Sequence, residues 1–274
     1  MKINIDKTER YYLHNTSVLP IDVPPPVIPE DGKVIYEVIR VIKSKPLFIK
    51  EHLKRLEQSV KMSDFKTINT AELSKSIDEL IESNPVNEKN LKITLWSNEN
   101  AENEILAYFT VSKYPTPDDY NLGINVELLP MERNNPNVKL ENPSLRASAD
   151  KAICLSQTTE VLLVNNQGFI TEGSRSNFFA VFGNTIVTPP THDVLEGITR
   201  TIIIDLIKEK GFECIQEPIH INKIQKMDGA FITGTSTKVL PINRIGDTEF
   251  KDIHSIIRQL MIAYDNLILQ IVSN

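Results

Sequence analysis

Two hydrophobic rhythms organise the first hundred residues. Val34 to Ile42 alternates, which predicts a strand with Tyr36, Val38 and Arg40 projecting to one side. A turn at Lys43-Ser44-Lys45-Pro46 and a short strand at Leu47-Phe48-Ile49 complete a predicted hairpin. From Glu51 the period lengthens. Leu53, Leu56 and Val60 fall on one helical face, as do Leu73, Ile77, Leu80 and Ile81 in the following segment. Strands are predicted again at Leu91 to Trp96 and at Ile105 to Val111. Upstream of all this, Pro24-Pro25-Pro26 and Pro29 require a partly extended chain.

The segment Lys113-Tyr114-Pro115-Thr116-Pro117-Asp118-Asp119-Tyr120 carries two prolines and two acids, the composition of a linker. Beyond it the pattern predicts a strand at Asn125 to Leu129 and a helix around Ser148 to Thr158. A hairpin follows, with Val161 to Val164 and Phe169-Ile170 around Asn165-Asn166-Gln167-Gly168. Thr199 opens a helix to Lys210, closed by Gly211. Ala230 to Thr233 reads as a buried strand. Ile253, Ile256, Ile257, Leu260, Tyr264, Leu267 and Ile268 give the last helix a wide apolar face. Strands and helices mix without regular βαβ alternation, so the fold class is α+β. The linker divides it into a smaller N-terminal domain, 1–118, and a larger C-terminal domain, 119–274.

Composition narrows the function classes. A net charge of −6 and a pI near 5.5 argue against nucleic acid as the main partner, but leave room for one basic pocket holding a small phosphorylated ligand. Cys154 and Cys214 are too few for a disulfide scaffold, and the five scattered histidines form no metal motif, so no metal is expected. The start of the chain lacks the apolar stretch of a signal peptide, and no segment reaches membrane-spanning length. The expectation is a cytoplasmic, soluble protein.

The most informative stretch is Thr171-Glu172-Gly173-Ser174-Arg175-Ser176-Asn177, set between apolar runs. Glu172 there is either a solvent-facing residue of a polar turn or a carboxylate with a cationic partner. Four other blocks accompany it in order: Tyr36-Glu37-Val38-Ile39-Arg40, Glu51-His52-Leu53-Lys54-Arg55-Leu56, Leu195-Glu196-Gly197-Ile198-Thr199-Arg200 and Thr233-Gly234-Thr235-Ser236-Thr237. Together they resemble the signatures of the class IV aminotransferases, the fold-type IV pyridoxal phosphate enzymes. That family includes branched-chain and D-amino acid aminotransferases and aminodeoxychorismate lyases. The resemblance spans roughly residues 30 to 245.

The resemblance implies a two-domain, D-amino acid aminotransferase-like architecture, a homodimer and pyridoxal 5'-phosphate as cofactor. Such a cofactor needs a lysine, an acid at its pyridine nitrogen and donors for its phosphate. Lys139 is the implied Schiff-base lysine and catalytic residue, carried by the C-terminal domain. It precedes Glu172 by 33 residues, within the family's interval, and Asn142 follows at the family's spacing. Lys151 is the alternative, but lies too close to Glu172 for that pattern. Glu172 is implied at the ring nitrogen, where a carboxylate favours the protonated ring. Arg55, Ile198, Thr199 and Thr235 are implied phosphate ligands. Read without the family, Arg55 is a solvated helix residue and Thr199 a helix N-cap. Tyr36, Arg40, Ser236 and Thr237 are the implied substrate-binding residues.

The chain also departs from the family. An arginine that several members use for the substrate carboxylate would fall near Trp96-Ser97, where neither residue can pair with one. The tyrosine that branched-chain enzymes place beside the cofactor appears as Pro143 or Ser144. Lys238 stands where an acid is common, and the turn before Tyr36 reads Val27-Ile28-Pro29-Glu30-Asp31-Gly32-Lys33, without an arginine. The implied activity is amino transfer between an amino acid, branched-chain or similarly apolar, and a 2-oxo acid. Aminodeoxychorismate lyase activity, or cofactor binding without turnover, are the alternatives.

Overall fold

A computed structural model describes residues 3–29 and 32–273, so Glu30 and Asp31 of the turn before Tyr36 lie outside the described residues. The chain forms two units. One ends at Lys113 and also contains Val138–Glu141 and the residues from Gln270 onward; the other comprises Tyr114–Asn137 and Asn142–Leu269. The division therefore falls a few residues before the expected 118. Lys139 belongs to the first unit, not to the C-terminal domain expected to carry it.

The first unit holds β1 (Tyr11–His14), β2 (Ser17–Pro20), β3 (Ile35–Ile42), β4 (Lys45–Pro46), α1 (Ile49–Lys61), α2 (Thr70–Ser83), β5 (Glu88–Ser97) and β6 (Asn103–Thr110). Its strands form one antiparallel sheet in the order β2-β1-β6-β5-β3-β4. The hairpin β1–β2 has no counterpart in the sequence reading, because its four-residue strands are too short for a period to show. The expected strand at Leu47–Ile49 is instead the entrance to α1. Leu47 still donates its N–H to Arg40, but Phe48 takes a left-handed backbone (φ 53°) that turns the chain straight into the helix.

Alternation in β3 and β5 sorts the two faces of this sheet. Ile35, Ile39, Val41, Leu91, Ile93 and Leu95 bury against Leu53, Leu56 and Val60 of α1 and Leu73, Ile77 and Leu80 of α2. Each such side chain contributes about 1.5–3 kcal/mol of burial. The opposite face carries Tyr36, Val38 and Arg40 from β3 and Lys92, Thr94 and Trp96 from β5, in a register that sets Tyr36 against Thr94 and Val38 against Lys92.

The second unit holds α3 (Pro117–Leu122), β7 (Ile124–Pro130), α4 (Pro143–Ser156), β8 (Glu160–Val164), β9 (Phe169–Gly173), β10 (Asn177–Phe182), β11 (Thr185–Thr188), α5 (Ile198–Glu209), β12 (Glu213–Gln216), β13 (Ile219–His220), β14 (Gly229–Gly234), β15 (Lys238–Ile245), β16 (Thr248–Glu249) and α6 (Ser255–Ser273). The linker segment is partly helical: Thr116 and Asp119 cap α3 reciprocally. α4 starts earlier than expected, with Pro143 in its first turn and Asn142 accepting the Leu145 N–H as N-cap. Strands run in the order β10-β14-β15-β7-β8-β9, and β9 pairs back onto β10 through Glu172 and Asn177, so the sheet closes on itself. Helices and strands thus mix as an α+β fold in two units.

Candidate active site

In the first unit the segment Lys139–Glu141 runs beside β3 as an extra edge. Tyr36 donates its N–H to the Lys139 carbonyl at 3.0 Å, Glu141 donates to Val34 at 2.9 Å, and Leu140 bridges Ile35. Period-two alternation then sends Leu140 into the core and both Lys139 and Glu141 to the other face. There Lys139 Nζ lies 4.6 Å from the centre of the Tyr36 ring and Lys92 Nζ lies 5.1 Å from it. Lys92 also ion-pairs with Glu141. Lys151 is exposed on α4.

Glu37 sits on the apolar face of β3 with no exposure. It is tolerated there because α1 brings two partners. Arg55 donates through Nε to Oε1 and through Nη2 to Oε2, both at 2.7 Å, and His52 Nδ1 lies 2.8 Å from Oε2. Burial alone would push the Glu37 carboxyl up, but the charge and hydrogen bonds of Arg55, then those of His52, hold it well below the usual carboxylate range. Burial pushes His52 down, with the positive charges of Arg55 and Lys139 adding to it, while Glu37 opposes the shift. Arg55 is therefore buried and committed to Glu37, which excludes the solvated-helix reading. Arg40 is also buried, and its Nε and Nη2 both donate to Glu88 Oε1. That is a different engagement from the substrate contact expected of it.

In the second unit Glu172 is buried, at 3% exposure, and excluded from the solvent-facing reading. Its cation is Arg133, whose Nε donates to Oε1 at 2.7 Å. The Leu195 N–H donates to Oε2 at 3.2 Å, and Asn177 donates from Nδ2 to the Leu195 carbonyl at 2.8 Å. Two of the sequence blocks are thus tied through both ends of one residue. The intervening turn is held by Glu160, which accepts from Ser174 Oγ, Ser176 Oγ and the Arg175 N–H. A Cβ at Gly197 would come 2.0 Å from Asn177 Oδ1, so any larger residue there would displace the Asn177 side chain from Leu195.

Gly197, not Thr199, is the N-cap of α5, and it supplies no side chain to the first turn. Ile198 and Thr199 therefore stand where helical N–H groups await an acceptor. At the β14–β15 turn, which holds Thr235 and Ser236, the hydroxyls of Thr233 and Thr237 are buried without a hydrogen-bond partner among the described residues. An uncapped helix start and orphaned buried hydroxyls are the donor set that fits the phosphate of pyridoxal phosphate. Among the described residues no group of His, Cys, Asp or Glu could hold a metal ion.

The family sequence model described as Amino-transferase class IV matches residues 34–245. The chain belongs to the class IV aminotransferases. The family implies pyridoxal phosphate as cofactor, and the match supports an aminotransferase function. The chain is 34% identical to a Methanocaldococcus jannaschii relative over 125 residues, 45% of this chain and 43% of that one. It is 28% identical over 265 residues to an Aquifex aeolicus protein described as a probable branched-chain-amino-acid aminotransferase, covering 86% and 84% of the two chains. Its fold matches the branched-chain amino acid aminotransferase of Escherichia coli with a TM-score of 0.86 at 20% identity, over 94% of each chain. The PLP form of the Thermobaculum terrenum enzyme matches with a TM-score of 0.85 at 21% identity, over 97% and 94%.

The sequence reading did not single out Glu37, Arg133, Glu160 or Lys92. Glu37 was signalled, and so was the need for the cation that Arg133 supplies to Glu172. A carboxylate on the core-facing side of an alternating strand demands a cation, and so does Glu172 within its apolar flanks. Which cation answers each was set by contacts that join residues 18 and 39 positions apart.

Proposed function

We propose that this chain transfers the amino group of a branched-chain or similarly apolar amino acid to a 2-oxo acid, using pyridoxal 5'-phosphate bound through Lys139. The observation that carries the reading is the placement of Lys139, whose backbone is pinned to Tyr36 and whose amine lies on the ring of that same residue. The branched-chain preference is supported by the Tyr36–Arg40 strand and by the names of the relatives.

When bound, the cofactor would supply an electrophilic carbon, from which the substrate's amine would displace Lys139, and a ring able to draw electrons from the substrate's Cα. Arg55, the Ile198 and Thr199 N–H groups and the Thr235 hydroxyl would hold its phosphate. Glu172 keeps the proton on the ring nitrogen, because opposite charges at contact favour both charged forms. Arg133 holds the Glu172 carboxylate in place for that task. Lys139 Nζ takes the proton from the substrate's Cα and redelivers it, acting as base and then acid. Tyr36, Ser236 and Thr237 orient the substrate. A homodimer in the cytoplasm, with the second subunit closing the pocket, accompanies this reading through the family resemblance.

The test is to incubate cofactor-loaded protein with leucine and 2-oxoglutarate, and separately with aminodeoxychorismate. Glutamate formed in the first reaction, without pyruvate in the second, is the expected result. Pyruvate release would make the chain a lyase, and silence in both with cofactor retained would make it a binding homologue.

A further inference from the structure

Beside the β14–β15 turn the second unit has a cavity of about 370 Å³, walled by residues of α3, β15 and α6 and sized for a small metabolite. None of the residues proposed to act on the cofactor or the substrate lines it. We infer that this cavity binds a free α-amino acid with an apolar side chain, as a second ligand site outside the one that reacts.

Three features of its walls carry the inference. First, Lys238 and Asp265 both line the cavity and lie in contact, with Nζ 2.8 Å from Oδ1. A zwitterion carries the same two charges in the opposite sense, so its carboxylate pairs with Lys238 and its ammonium with Asp265. The exchange costs little, because the Asp265 side chain is 53% exposed and an ion pair that open to water contributes little. One pair is broken and two are made. Second, the rest of the wall is apolar and aromatic. Val239, Met261, Tyr264 and Pro117 offer a surface for an apolar side chain, and the unbranched Met261 adapts to its shape. Third, Lys238 is held against a backbone cost. As the first residue of β15 it has a left-handed φ of 53°, which a lysine keeps only where its surroundings fix it. An acid, the residue the family resemblance puts at this position, would set two like charges on the cavity; lysine makes the pair complementary to a zwitterion.

The experiment is calorimetric titration of L-leucine into the protein loaded with pyridoxal 5'-phosphate and then reduced with borohydride, which closes the cofactor to amines. Binding should persist after reduction. Lys238→Met and Asp265→Asn should each weaken it on the order of tenfold or more, as loss of one charge-assisted contact requires. The probes 4-methylpentanoate and 3-methylbutylamine, each lacking one of leucine's two charges, should bind wild type on the order of tenfold more weakly than leucine does. No binding to the reduced protein overturns the inference, and so does wild-type affinity in either variant. Either probe binding as tightly as leucine overturns it too, because the cavity would then not read a zwitterion. Should circular dichroism show Lys238→Met to be unfolded, Asp265→Asn, a change at a half-exposed helix residue, decides alone. The outcome is independent of the proposed transfer, which is read from glutamate formation by the unreduced protein.

Discussion

Tyr36 and Lys139 are joined twice, by the Tyr36 N–H donated to the Lys139 carbonyl at 3.0 Å and by the Lys139 amine 4.6 Å from the centre of the Tyr36 ring. The first contact fixes where the lysine's backbone sits. The second directs its side chain, since an ammonium over an aromatic face gains about 0.5–2 kcal/mol. Borohydride reduction of the cofactor-loaded protein followed by peptide mapping should therefore place the modified lysine at 139. Label on Lys151, exposed on α4, would remove Lys139 from the mechanism.

Arg55 holds Glu37 and is proposed to hold the cofactor's phosphate, and a variant series separates the two roles. Arg55→Ala leaves the fully buried Glu37 with His52 alone, and breaking such a pair costs about 3–5 kcal/mol. Urea unfolding should show that loss. Adding Glu37→Gln should recover most of it, because no buried charge then remains without its partner. Cofactor affinity should not recover if Arg55 holds the phosphate: the double variant then lacks that contact and should bind on the order of ten- to a hundredfold more weakly. Wild-type affinity in the double variant would confine Arg55 to holding Glu37.

The same cluster sets the acid limit of the first unit. His52 is pushed below its ordinary value of 6.5, mainly by burial, so its folded form resists a proton that the unfolded chain accepts. Its stabilisation is complete above about pH 6.5 and is lost as the pH falls below that. Glu37 is depressed as well, so its contribution is complete above about pH 4.5 and is lost on further acidification. Unfolding free energy measured against pH should decline in these two stages. His52→Gln should abolish the upper stage and leave the lower; an unaltered profile would show that His52 does not titrate on unfolding.

Glu172→Gln keeps the shape but takes the anion from Arg133 and, in its proposed role, from the cofactor's ring nitrogen. Single-turnover rates on cofactor-loaded protein should fall on the order of a hundredfold or more, equivalent to about 2.7 kcal/mol of transition-state stabilisation. Cofactor should still be retained through its phosphate. A rate within a few-fold of wild type would leave Glu172 as the partner of Arg133 and nothing more.

The sequence by itself determined the elements whose periods are long enough to read. The strand at 35–42, both helices that follow it and the wide face of α6 all show apolar spacing that burial then satisfies. It also determined the mixed α+β character and the blocks that mark the family, because each block is a run of consecutive residues. Short strands such as β1 and β2 carry too few residues for a period, and the left-handed turn at Phe48 overrode an extended reading. The pairing of charges was decided only by tertiary structure. Lys139 was read with the C-terminal half by its place in the chain, but hydrogen bonds to Val34 and Tyr36 put its segment on the edge of β3. Which lysine meets Glu141, and which arginine meets Glu37 or Glu172, depends on strand register and on which helix covers which face. Residues far apart in the chain acquire those neighbours only when the sheets form.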